Sequence, residues 1–129
     1  MYISMKTNII AKVNDVNIVC IGSEELIPVL HLAQALGIKV TDFISAIEDA
    51  GLEDFVGLQA AMYEREAYTC IPLKYVIGCI FLDGIRDMAQ PGMVMKVNAA
   101  LWEYLQLKQQ KVFEKLALTE KRLSELRCN

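Results

Sequence analysis

CIPLKYVIGCIFLDGI, residues 70–85, runs an apolar strand directly into an apolar helix, with Pro72 at the junction. Proline lacks the N–H that a strand ladder needs, but its fixed φ suits a helix start, so the strand must stop where the helix begins. Leu73, Val76, Ile77, Ile80 and Phe81 then recur at helical spacing. Gly78 interrupts them at a cost of about 1 kcal/mol relative to alanine, which predicts a neighbour packed closely against it. Asp83-Gly84 ends the element, and residues 85–90 read as a loop.

Upstream, residues 56–62 and 67–71 are strand-like and bracket Tyr63-Glu64-Arg65-Glu66, a hairpin with a charged tip. Residues 9–13 and 16–21 flank Asn14-Asp15, a pair that tolerates positive φ and so forms a two-residue hairpin turn. Gly22-Ser23-Glu24-Glu25 turns the chain into a short third strand at 26–29, where Pro28 is tolerable only at an edge or a strand end. Leu30, Leu32, Ala33, Ala35 and Leu36 are too densely apolar for a surface helix and predict a buried one, stopped by Gly37. Thr41 is the expected N-cap of the next helix. That helix turns Phe43, Ile44, Ile47 and Ala50 inward and Asp42, Glu48 and Asp49 outward, and it ends at Gly51.

Two short helices in succession superficially suggest a helix-turn-helix. The second argues against it, because it offers Asp42, Ser45, Glu48 and Asp49 where a reader of DNA needs basic or amide side chains. Charge by region points the same way. Residues 1–90 hold 6 Lys+Arg against 12 Asp+Glu, a formal −6, whereas residues 91–129 hold 7 against 4, a formal +3. An acidic body lacks the basic stripe that supplies nonspecific nucleic-acid affinity through counterion release.

Downstream, Pro91 is placed to open a last, long helix. Met95, Asn98, Trp102, Leu105, Gln109, Val112, Leu116, Thr119, Leu123 and Leu126 fall in alternating steps of three and four, and only Asn98, Gln109 and Thr119 among them are polar. That is heptad-like spacing. Val94, Val97, Ala99, Ala100, Leu101 and Tyr104 add apolar surface off the seam, so the start of the helix is expected to pack on the body. From Leu105 the pattern narrows to what a helix meeting a partner helix shows. Leu105, Val112, Leu116, Leu123 and Leu126 are the expected oligomer interface, a dimer being the simplest assembly. Lys115 and Glu120 can pair across a parallel dimer while Arg122 and Arg127 repel in the same register, which leaves the orientation open.

The whole chain has 129 residues, 54% of them hydrophobic, enough for one packed domain. The longest apolar run, residues 75–82, falls far short of the roughly 20 residues of a membrane span. The N-terminus carries Lys6 but has Thr7 and Asn8 where a secretory signal needs apolar residues, so a cytoplasmic protein with no membrane partner is expected. Cys20, Cys70, Cys79 and Cys128 lack metal or redox spacing and read as packed structural thiols. His31 sits in an apolar helix without a neighbouring ligand. No phosphate loop, nucleophile elbow or nucleophile–base pair is present, so no catalytic residue, metal or cofactor is expected and the chain reads as a non-enzyme.

SEELIPVLHLAQALGI (23–38), TDFISAIED (41–49), CIPLKYVIGCIF (70–81) and ALWEYL (100–105) together resemble the N-terminal domain of phage antirepressor proteins. The matching positions include Pro28, Gly37, Pro72, Leu73, Trp102 and Tyr104, all of them fold-defining in that family. This resemblance implies a noncatalytic phage or prophage regulator that contacts a repressor-like protein. The family is also similar to the Bro-type and KilA-N viral domains, which implies the alternative of a DNA-binding regulator, disfavoured here by the charge of the body. The expected fold is α+β: small antiparallel β-hairpins packed with short helices at residues 1–90, then a long oligomerising C-terminal helix at 91–129.

Overall fold

The computed structural model describes residues 7–127, the last by its backbone alone. Lys6, Cys128 and the Arg127 side chain, all used in the readings above, lie outside the described residues. The fold is α+β. Strands β1 (Thr7–Val13), β2 (Val16–Ile21), β3 (Leu26–Pro28), β4 (Gln59–Tyr63) and β5 (Glu66–Pro72) form one antiparallel sheet in the order β1-β2-β3-β5-β4. Helices α1 (Val29–Leu36), α2 (Val40–Asp49), α3 (Glu53–Val56), α4 (Leu73–Ile80) and α5 (Asp83–Met88) are short, and α6 (Met93–Arg127) runs for 35 residues.

Turn chemistry sets both hairpins. Asn14 and Asp15 adopt φ of 54° and 61°, and Glu64 and Arg65 adopt 49° and 69°, the paired left-handed conformations that match the twist of the flanking strands. The hairpins do not stay separate. β3 joins them by pairing with β5, with Leu26 opposite Pro72, Ile27 opposite Ile71 and Pro28 opposite Cys70. Pro28 thus lies in a central strand, tolerated because it is that strand's last residue and begins α1. The Leu73 N–H donates to the Glu25 carbonyl at 2.8 Å, so α4 starts fastened to the β2–β3 turn.

Ile18, Cys20, Ile27 and Ile71 belong to the main core with Leu32, Leu36, Phe43, Val76, Ile80, Ile85, Val97 and Leu101 from the helices. Val19, Ile21, Leu26, Ala61 and Cys70 make a second cluster, with Tyr63 and Tyr68 packed against it. Since neighbouring strand residues point to opposite faces, the unbroken buried run Ile18–Ile21 shows β2 enclosed on both.

Several local expectations are corrected. Asp83-Gly84 opens a helix instead of ending one, and residues 85–88 are helical, with only Ala89 and Gln90 outside it: the Leu82 carbonyl accepts from Ile85 and Arg86 at 3.0 and 2.8 Å, and the fully buried Ile85 anchors the turn. Val56 ends α3 rather than opening a strand. The last helix starts at Met93, not Pro91, because Gly92 takes φ +78° and serves as the cap whose carbonyl accepts from Lys96. α2 begins at Val40 behind Lys39, so Thr41 is not its cap. No atom lies within 4 Å of a Cβ built at Gly78, so the close packing expected there is absent.

Candidate interaction surface

α6 divides into a packed and a projecting part. Val94, Val97 and Leu101 are buried in the main core, and Ala100, Tyr104 and Leu105 pack against it. Residues 106–126 are exposed throughout. Lys108 still reaches Glu25 of the body, so residues 109–126 stand clear of it, roughly 27 Å of helix at 1.5 Å per residue.

The expected interface residues divide accordingly. Leu105 is half-buried against the core. Val112, Leu116, Leu123 and Leu126 remain 52%, 54%, 49% and 72% exposed, and Leu107, Phe113 and Leu118 are exposed off the seam. Large side chains at this spacing form an apolar patch, which monomeric proteins rarely leave in water.

The projecting helix is rooted at a groove lined by Leu73, Ile77, Gly78, Trp102 and Leu105, with Glu24, Glu25 and Lys74 among the same walls. The absent side chain of Gly78 leaves open space on this side of α4. Trp102 is half exposed on the wall of this recess, whereas Leu73, on the same wall, is buried, as are Pro28 and Pro72. Tyr104 is half-buried against the core, and Gly37 caps α1 at φ +77°. This recess is what sequence reasoning missed. It joins residues from the β2–β3 turn, α4 and α6, which no local pattern connects, although Gly78 in an otherwise apolar helix was its trace.

Electrostatics fix the root. The Lys108 ammonium donates to the Glu25 carboxylate, and that hydrogen bond holds the Lys108 pKa above its usual value against the opposing effect of burial. Both side chains are partly exposed, so the pair contributes at most about 1 kcal/mol. Cys20 lies near the same charges, and burial first, then Glu25, pushes its thiol up to about 11. Burial also raises the Tyr104 phenol.

Elsewhere, Asp42, Ser45, Asp49 and Asp83 line a groove between α2 and α5, an acidic surface on the helix that a helix-turn-helix would present to DNA. His31 is half-buried against the rings of Tyr63 and Tyr68, with centroids at 5.9 and 5.8 Å. Among the described residues no group of three His, Cys, Asp or Glu side chains converges as a metal site. Nor, among those residues, is any helix long and apolar enough to cross a membrane. Comparison of the chain with protein-family models, with curated proteins and with solved structures returns no match in any of the three.

Proposed function

We propose that this chain is a noncatalytic regulatory domain of the phage antirepressor kind, working in the cytoplasm by protein contact and self-associating through α6. The observation that carries the reading is the exposed seam of Val112, Leu116, Leu123 and Leu126 on a helix that projects from a body with its own core. The resemblance in residues 23–38, 41–49, 70–81 and 100–105 supplies the class of partner, a repressor-like protein. Acidic side chains on α2 weigh against a DNA-binding role, since a polyanion meets Asp42, Glu48 and Asp49 there.

Two measurements test it. Light scattering should give a dimer for the wild-type chain and a folded monomer for Val112→Asp/Leu116→Asp, because charges in the seam are costly to enclose while the body keeps its core. The same pair of proteins used as bait against purified phage repressors should capture one with the wild type and less with the variant. Submicromolar binding of random duplex DNA near physiological salt would overturn the reading in favour of a Bro/KilA-N-type regulator.

A further inference from the structure

We infer that the projecting part of α6 pairs with a second copy of itself lying parallel and in register; this rests on the self-association proposed above. Lys108, Lys115 and Arg122 recur every seven residues and line one flank of the seam, while Gln106, Phe113 and Glu120 line the other. In a two-stranded coil, parallel helices bring one flank of each copy against the opposite flank of its partner, and antiparallel helices bring like flanks together. The antiparallel arrangement therefore sets the Lys108, Lys115 and Arg122 row against the same row of the second copy. The parallel arrangement sets Lys115 beside the partner's Glu120, twice by symmetry. Its like-charged step from Arg122 falls on the last turn of the helix, where ends fray.

Lys108 on the flank and the polar seam residues Gln109 and Thr119 fit the same register. Lys108 is already engaged by Glu25 of its own chain, so its position requires no anion from the second copy. The Thr119 hydroxyl donates to the Lys115 carbonyl at 2.9 Å, so it can be enclosed against its twin without leaving an orphan donor. Gln109 meets Gln109 of the other copy, and each amide offers both a donor and an acceptor. A polar residue at such a position fixes register at some cost in stability. Parallel pairing puts both bodies at one end of the coil, with the Trp102 recess of each beside its root.

Cysteine cross-linking reads the orientation directly. With Cys128→Ser to remove the terminal thiol, and with Cys20, Cys70 and Cys79 buried, Thr119→Cys should oxidise to a disulfide-linked pair. Lys115→Glu should weaken the dimer about tenfold, as two attractive contacts become repulsive, and Lys115→Glu/Glu120→Lys should restore it. A dimer in which Thr119→Cys links only to a Gln109→Cys chain mixed with it is antiparallel and overturns the inference, leaving the self-association standing. A wild-type mass of one copy by light scattering overturns the self-association itself, and a mass above two copies overturns the two-stranded coil.

Discussion

Ile27 and Ile71 stand directly opposite each other on the neighbouring inner strands β3 and β5, both fully buried, and each is followed by a proline that ends its strand and caps a helix of 8 residues. The two prolines share a conformation, φ −59° and ψ 128° at Pro28 and φ −57° and ψ 136° at Pro72. The sheet is thus joined where two antiparallel strand–proline–helix units meet, with Ile27 opposite Ile71. Truncation of either isoleucine leaves a cavity at the one place where the hairpins meet. Ile27→Ala and Ile71→Ala should each cost about 2–5 kcal/mol, read from urea unfolding. A loss below about 1 kcal/mol at both would show that the β3–β5 seam does not hold the fold together.

Gly37 and Gly78 should respond with opposite signs. At φ +77° a side chain is strained, and a Cβ at Gly37 would also press on the Gln90 side chain, so Gly37→Ala should destabilise by about 1–2 kcal/mol. Gly78 is interior to α4 and meets open space, so Gly78→Ala should stabilise by about 0.5–1 kcal/mol. Thermal midpoints of the two variants check both signs.

The difference between these glycines also marks how far the sequence could be read. Gly37 follows a dense apolar run, a local signal for a left-handed helix stop, and Asn14-Asp15 was legible for the same reason. The second turn was legible only as a charged tip at 63–66; Tyr63 and Glu66 pair with each other in the ladder, and the turn is Glu64-Arg65 alone. The pairing of β3 with β5 was not, because it joins residues more than forty apart in the chain and both strands carry a proline that argues for an edge. α5 escaped notice because its turn is held by one buried side chain, Ile85, and by Leu82 carbonyl bonds, not by periodicity. On α6 the seam spacing was legible, whereas the recess at Trp102 depends on where α4 lies.

His31 gives a pH dependence with a definite sign. Burial against Tyr63 and Tyr68 lowers its pKa from the ordinary 6.5, and the nearby Glu64 carboxylate only partly opposes this. The unfolded chain therefore takes up the proton first. Stability is full above about pH 6.5 and declines as pH falls from there through the folded-state value. Glu66 belongs to the same patch through its hydrogen bond from Tyr68, so the comparison must be internal. The fall in urea midpoint between about pH 7.5 and 5.5 should be smaller in His31→Gln than in the wild type. Equal falls would mean that the histidine is charged in the folded protein.

Cys20, Cys70 and Cys79 should behave as hydrophobes, not as nucleophiles. Burial pushes each thiol up to about 11, which leaves almost no thiolate near neutral pH. An alkylating reagent at about pH 8 should leave all of them unmodified in the native protein and label them in denaturant. Peptide mass spectrometry distinguishes the sites, and rapid native labelling at Cys79 would mean that α4 opens readily.

Trp102 reports on association without any added probe. It is the only tryptophan in the chain, it is half exposed, and it lies where the seam of α6 meets the recess beside Gly78. A second helix laid along the seam covers this indole, so its fluorescence should move to shorter wavelength as protein concentration rises through the dimer dissociation constant. In Val112→Asp/Leu116→Asp the emission should stay at the long-wavelength position at every concentration, since the substitutions lie well beyond Trp102 and leave its own contacts intact. Light scattering on the same samples fixes the mass at each point. A dimer that forms with no change in Trp102 emission would place the contact between copies nearer the end of α6, away from the recess.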